Sequence, residues 1–280
     1  MGRGNLKKIL EAYFDIEKIK SIPRGYDLIG HIAILEIPDQ FKKKKKLIAK
    51  ALLEVHNNIK TVLEKASERK GEFRVRKYKF IAGEKKFETV HKEYGCQFKL
   101  NPTKVYFSPR ELTERQKIAE QVKPNEIVMV MFAGIGPYAI QMTKKQPLVK
   151  KIVAVEVNPT AVKYMKENVR INKVSDKVIS VLGDVREKCR KWYGKCDRIV
   201  MPLPLGSDGF LDIAVKCLKK KGGIIHFYNW GDEEDPYFNA LNLLQENFKI
   251  FKRKFKVLNE RKVLPYSPHK WKVCIDLKVF

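Results

Sequence analysis

Acidic residues are scarce in this chain: Asp and Glu number 32 against 58 Lys and Arg, a formal net charge of +26. That imbalance argues against an acidic solvating protein and for a polyanion as partner, because each phosphate neutralised releases counterions. A lysine-rich solvated surface of a heat-adapted protein explains many lysines but not the imbalance. Cysteine is equally uninformative as a framework. The five thiols, Cys96, Cys189, Cys196, Cys217 and Cys274, are odd in number and form no C-x-x-C pair. They read as reduced thiols of a cytoplasmic protein. Histidine offers no metal-ligand spacing either, since His31, His56, His91, His226 and His269 are scattered, so no metal is expected. No apolar run reaches the ~20 residues that span a bilayer, and no signal peptide is evident, so a soluble protein without a membrane role is expected. Repeats and low-complexity linkers are missing too.

What is present is a strand-turn-helix signature. The apolar run Ile127 to Met131 passes straight into Phe132-Ala133-Gly134-Ile135-Gly136-Pro137. Gly134 and Gly136 permit a tight turn and close backbone approach to a ligand, and Ala139 fills the third, packing position of G-x-G-x-x-[G/A]. Alone the pattern is weak. Glu156 strengthens it, ending the next expected strand (Lys151 to Val157) 20 residues after Gly136, where a carboxylate can bind both ribose hydroxyls. A third strand ends in Gly183-Asp184-Val185-Arg186, and a fourth (Cys196 to Val200) ends in Met201-Pro202-Leu203-Pro204. A nicotinamide dehydrogenase would share the glycine turn and acidic strand end but has no use for that proline turn. S-adenosylmethionine enzymes of this architecture use three strand ends together, and Gly134/Gly136, Glu156 and Asp184 occupy those places. The prolines would then lie against the methyl acceptor; their plainer reading is a rigid loop.

The organisation divides near residue 100. Residues 1–100 read as a small α+β module for RNA binding, with a helix over Leu6 to Phe14, a strand over Tyr26 to Ile37 split by Gly30, a basic amphipathic helix over Phe41 to Val55, and β-rich segments at Phe73 to Ile81 and Phe87 to Leu100. Residues 101–280 alternate strands with helices (Pro159 to Ile171, Leu211 to Leu218, Tyr237 to Phe248), which indicates an α/β, Rossmann-like parallel sheet covered by helices. The last two runs, Phe251 to Val263 and Trp271 to Phe280, predict a hairpin at the sheet edge. Lys42 to Lys46 start the amphipathic helix, as a solvated face or as phosphate contacts along an RNA stem. Arg74, Arg76, Lys77 and Lys79 alternate with Phe73, Tyr78 and Phe80 in a β pattern that could offer charge to RNA.

Seven segments in order, Gly71-Glu72-Phe73-Arg74-Val75-Arg76, Ala82-Gly83-Glu84, Val105-Tyr106-Phe107-Ser108-Pro109-Arg110, Phe132 to Pro137, Asp184-Val185-Arg186-Glu187, Gly222 to Tyr228 and Tyr266-Ser267-Pro268, resemble the archaeal and eukaryotic tRNA (guanine-37 N1) methyltransferases over nearly the whole chain. The resemblance implies a class I methyltransferase domain that uses S-adenosylmethionine on a flipped-out base 37 of the tRNA anticodon loop. It also implies roles: Arg74 for the guanine O6, Glu114 as general base, Pro202 and Pro204 beside the acceptor, and Tyr106, Pro109, Arg115, Phe132, Gly134, Gly136, Glu156, Val157, Asp184, Val185 and Leu203 around the cofactor. The chemistry suits these types, because guanine N1 must lose a proton while charge develops on O6. Taken singly, an arginine in a basic protein usually faces water, and a Glu at a helix start is usually a cap or surface pair.

Three departures from the family pattern stand out. Pro202 replaces an Asn whose amide can bind the guanine edge, as in an archaeal subgroup that also methylates C7 of the wyosine intermediate 4-demethylwyosine at position 37. Val130 stands where relatives commonly carry an acid. The resemblance also implies a chain that starts at the middle domain of fuller relatives, so recognition is expected to rest on the anticodon stem-loop. A cytoplasmic monomer that methylates tRNA is the expectation; the rivals are the paralogous aminocarboxypropyl transferase, which uses the same cofactor, and a non-catalytic RNA-binding protein of the same fold.

Overall fold

Gly30 sits at φ 56°, where an added side chain would run into Thr89 and the carbonyl of Val90. The chain therefore reverses at this point, and the single strand expected over Tyr26 to Ile37 is instead a hairpin of β1 (Asp27–Ile29) and β2 (Ile32–Leu35). The computed structural model describes residues 26–67, 71 and 73–280, in two units, residues 1–109 and Arg110–Phe280. The helix expected over Leu6 to Phe14 lies outside the described residues.

In the first unit, a 3-10 turn (Asp39–Lys44) leads into α1 (Lys45–Val55), and the chain returns as β3 (Thr61–Lys65), parallel to β2. The sequence pattern missed β3. Ile48, Ala49, Ala51 and Leu52 of α1 pack against Ala33, Leu35, Val62 and Ile81, which is why the apolar stripe of this helix recurs at three and four residues. Lys42, Lys43, Lys44 and Lys46 are exposed, whereas Lys45 pairs with the buried Glu64. β4 (Tyr78–Gly83) completes the sheet order β1-β2-β3-β4, and β5 (Thr89–Glu93) and β6 (Cys96–Leu100) form a separate hairpin. The β pattern expected from Phe73 onward begins only at Tyr78. Arg74 lies before it in a turn, at φ 51°, with its amide donating to the Gly71 carbonyl at 3.1 Å.

The second unit opens with α2 (Leu112–Gln121) and then alternates β7 (Ile127–Met131), α3 (Pro137–Lys145), β8 (Lys151–Glu156), α4 (Pro159–Ile171), β9 (Val178–Leu182), α5 (Val185–Lys188), β10 (Arg198–Met201), α6 (Leu211–Cys217), β11 (Gly223–Asp232) and α7 (Phe238–Ile250). It ends in the expected hairpin, β12 (Phe255–Ser267) and β13 (Lys270–Val279). The sheet order is β12-β13-β11-β10-β7-β8-β9, parallel from β11 to β9 and antiparallel at β13. Val128 to Met131 and Ile152 to Val155 have no exposed surface, the continuous apolar run of strands covered on both faces. Strand order reverses between β7 and β10. Ligands in open α/β sheets bind outside the carboxyl ends of the strands at such a switch point. No helix among the described residues is long and apolar enough to cross a membrane.

Candidate functional site

At the end of β7 the backbone turns through Phe132 (φ 56°) and Gly134 (φ 57°) to Gly136 (φ 86°), which begins α3 with Pro137 in the first turn. A Cβ on Gly136 would lie 2.9 Å from Met165 Cγ of α4, so the turn accepts no side chain there. The next strand supplies the carboxylate. Glu156, half-buried at the end of β8, accepts from the Gly134 amide at 2.7 Å and from the Asn158 amide at 2.8 Å. Asn158 in turn caps α4, accepting from the amides of Thr160 and Ala161 at 2.9 and 3.3 Å. One acid thus fixes both the glycine turn and the start of the following helix, with Val157 half-buried between them.

Asp184, exposed after β9, accepts from the Arg186 amide at 2.7 Å and caps α5, whose first residue Val185 is buried. Arg186 lies 3.8 Å over the Phe210 ring, and Phe210 meets Phe132 edge-on at 4.9 Å. After β10, Pro202 and Leu203 are half-buried and Pro204 is buried. The loop is tied down by Ser207, whose hydroxyl donates to the Tyr228 carbonyl of β11 at 3.0 Å. A backbone turn closed to side chains and carboxylates at two neighbouring strand ends make a donor and acceptor set that fits a nucleoside-bearing cofactor such as S-adenosylmethionine.

Glu114 is neither a cap nor a surface pair. It lies in the first turn of α2, 4% exposed, and its Oε1 accepts from the Tyr228 hydroxyl at 2.5 Å and from Arg261 Nη2 at 2.7 Å. Oε2 accepts from Arg261 Nε at 2.9 Å. Because Phe227 pairs with Met201, the last residue of β10, Tyr228 stands level with the carboxyl end of that strand. Burial raises the Tyr228 hydroxyl well above its ordinary value, so it stays a donor. Tyr138, on α3 two residues after Gly136, continues the chain with its hydroxyl 3.4 Å from that of Tyr228. Arg115 is buried beside them. Within the second unit the structure therefore gathers Phe132, Gly134, Gly136, Glu156, Asp184, the proline loop and Glu114 at one rim of the sheet. Arg74, Tyr106 and Pro109 belong to the first unit, where all three are half-buried.

Sequence reasoning missed what stands behind Glu114. Arg261 Nη1 donates to Asp276 Oδ2 at 2.6 Å, and the other oxygen of Asp276 lies 2.6 Å from His226 Nδ1. Arg198 Nη1 approaches His226 Nε2 at 2.8 Å, and a guanidinium can only donate; Nε2 is therefore the acceptor and Nδ1 carries the proton. Burial lowers the His226 pKa, in keeping with a neutral ring. Burial alone would raise Asp276, yet the bonds from His226 and Arg261 outweigh it and hold the carboxyl well below its usual range. The available signal was a charge inside an apolar strand, as in Cys274-Ile275-Asp276-Leu277. His226, Cys274 and Asp276 bring ligand atoms within 4.8 Å of one another. Those of His226 and Asp276 are already engaged, and two guanidinium groups oppose a cation.

Residues 89–258 match the TRM5/TYW2 methyltransferase domain, and residues 6–86 match the TYW2 N-terminal domain. The tRNA (guanine(37)-N(1))-methyltransferase Trm5b of Pyrococcus abyssi is 43% identical over 92% of this chain and 76% of its own length. The tRNA 4-demethylwyosine(37)-methyltransferase Taw21 of Saccharolobus solfataricus is 34% identical over 92% and 95%. The tRNA(Phe) (4-demethylwyosine(37)-C(7)) aminocarboxypropyltransferase of Pyrococcus horikoshii is 32% identical over 98% and 96%. Among solved structures, the complex of aTrm5 with tRNALeu superposes with a TM-score of 0.85 at 34% identity, covering 99% of this chain and 79% of that one. Methanocaldococcus jannaschii TYW2 in complex with AdoMet gives a TM-score of 0.71 at 29% identity, covering 91% and 99%.

Proposed function

The chain belongs to the TRM5/TYW2 methyltransferase family, and from that premise we propose that it is an S-adenosylmethionine-dependent tRNA methyltransferase acting at position 37. Its primary site is N1 of guanine, with C7 of 4-demethylwyosine as a second; it works as a cytoplasmic monomer on the anticodon stem-loop. The observation that carries this reading is the placement of Glu114, a buried carboxylate held by Tyr228 and Arg261 at the same sheet rim as the glycine turn and Glu156.

When bound, S-adenosylmethionine supplies an electrophilic methyl group. Gly134, Gly136, Glu156, Val157, Asp184, Val185 and Leu203, with Arg115 and Phe132, would hold and orient it; Tyr106 and Pro109 carry cofactor roles by the family resemblance. Glu114 accepts the N1 proton of guanine, and Arg74 meets the negative charge that develops on O6. Base 37 lies in a loop, so presenting it unstacked costs little.

Pro202 has no side-chain donor or acceptor for the guanine edge, and a less polar loop suits the extra ring of 4-demethylwyosine. Pro202→Asn is therefore expected to raise N1 methylation of a guanine-37 transcript relative to C7 methylation of tRNA carrying the intermediate. Both products are measured by nuclease digestion and mass spectrometry. If the wild-type protein never methylates the intermediate, or if both rates change equally, Pro202 is a rigid loop residue only.

A second reading, aminocarboxypropyl transfer, is favoured by the match of residues 6–86 to the TYW2 N-terminal domain. Similarity to the guanine-37 enzymes around Arg74 and Tyr106 to Arg110 favours methyl transfer, and the mass added to the base separates the two.

With a net charge of +26 and an exposed lysine run in the first unit, an isolated anticodon stem-loop should be methylated nearly as well as full tRNA. Binding should weaken steeply with salt, the log of affinity falling by roughly 0.7 to 0.9 per phosphate contact for each decade of concentration. A stem-loop that is inert beside active full tRNA would locate recognition elsewhere in the molecule.

A further inference from the structure

The buried network behind Glu114 is larger than a salt bridge needs to be. From β12, Arg261 presents Nε and Nη2 to the Glu114 carboxylate as a fork, with contacts of 2.7, 2.9 and 3.1 Å. The rest of the guanidinium is fixed from behind, Nη1 on Asp276 at 2.6 Å and Nη2 also on Cys274 Sγ at 3.1 Å. Asp276 is held by His226, and His226 by Arg198, which is clamped by Glu126 at 2.8 and 3.0 Å and by the Gln121 carbonyl at 2.7 Å. Glu114, Arg261, Asp276, His226 and Arg198 are each no more than 9% exposed. Buried ion pairs are often no more stabilising than apolar residues of the same volume, so stability alone is a poor reason for so many. A fully satisfied network does fix one geometry.

We propose that Arg261 is the positioning residue of Glu114, setting the plane of its carboxylate so that Oε2 is the proton-accepting atom. The two oxygens differ. Oε1 accepts from Tyr228 Oη, Arg261 Nη2 and, at 3.1 Å, Arg261 Nε, whereas among the described residues Oε2 accepts from Arg261 Nε alone. A guanidinium fork is planar and cannot lose its proton, so it fixes the carboxylate without competing for the one that guanine releases. Tyr228 acts with it on Oε1, and Asp276, itself held by His226, ties the far side of the guanidinium. The inference rests on Glu114 being the base of the proposed reaction.

The test compares wild type, Glu114→Gln, Arg261→Lys and Tyr228→Phe in single-turnover methyl transfer to a guanine-37 transcript. Melting temperature and the dissociation constants for S-adenosylmethionine and transcript are measured alongside. Arg261→Lys keeps the charge but loses the fork, and is expected to slow transfer by about 100-fold, the effect of a misplaced catalytic group, with both dissociation constants unchanged. Tyr228→Phe removes one bond and is expected to slow it by about tenfold, which gives a second reading if the lysine variant does not fold. Transfer by Arg261→Lys and Tyr228→Phe at the wild-type rate while Glu114→Gln is slow overturns the positioning role and leaves the base intact. A loss of rate matched by an equal loss of cofactor binding overturns it in favour of a purely structural role. Inactive wild type, or a fully active Glu114→Gln, sinks instead the function on which the proposal rests.

Discussion

Replacing Glu114 by Gln is expected to lower N1 methylation of guanine 37 by roughly 100- to 10,000-fold, the range by which a positioned general base accelerates proton transfer. The side chain keeps its shape, and its carbonyl oxygen can still accept from Arg261 or Tyr228. What disappears is the capacity to take a proton. Methylation of C7 in 4-demethylwyosine proceeds differently: the ring π-system is the nucleophile, and its proton leaves only after the methyl has arrived. The same variant should therefore lose much less activity on that substrate. Parallel assays on a guanine-37 transcript and on tRNA carrying the intermediate measure the ratio. Equal losses on both would mean that Glu114 supports the site as a whole rather than acting as the N1 base. Arg261 keeps its bond to Asp276 in the variant, so the cost in stability should be milder than for removing a charge with no other partner. A melting curve separates that cost from the chemistry.

The middle of the sheet was legible in the sequence because β7 and β8 are covered on both faces and therefore read as unbroken apolar runs. Ile127 to Met131 and Pro159 to Ile171 end where they were expected, the first at a glycine turn and the second begun by the Asn158 cap. Other elements gave weaker signals. β3 is five residues long and carries Glu64 and Lys65, so it has no clean period, and its pairing with β2 depends on α1 packing between them in the chain. Alternation around Arg74 suggested a strand, but Arg74 has a positive φ that a strand does not allow. At the site, the glycine turn and Glu156 follow from local spacing and were readable. The partners of Glu114 were not: Arg261 is 147 residues away, and only the sheet order β12-β13-β11 brings it beside Tyr228. Asp276 and His226, polar residues inside apolar strands, mark a buried network, but their sequence neighbours say nothing of what they hold.

Substituting Ala for Glu156 is expected to abolish most cofactor affinity. Two charge-assisted hydrogen bonds to the ribose would be lost, each about 1.5 to 3 kcal/mol, for a combined weakening of roughly 100- to 10,000-fold. Calorimetric titration with S-adenosylmethionine measures it, and unchanged affinity would remove Glu156 from the site. The geometry adds a complication, because the same carboxylate accepts from the Gly134 and Asn158 amides. Alanine at this position also leaves two backbone donors without their acceptor, and the turn could shift for that reason alone. A second ligand separates the two effects. In the wild type, S-adenosylhomocysteine lacking the ribose 2′-hydroxyl should bind more weakly than the intact compound. In Glu156→Ala the intact and deoxy ligands should bind alike, since the group that read the hydroxyl is gone, and the cycle isolates that one contact from any general loosening. If the deoxy penalty is the same in both proteins, the hydroxyl is recognised elsewhere, and Glu156 serves the glycine turn rather than the ribose.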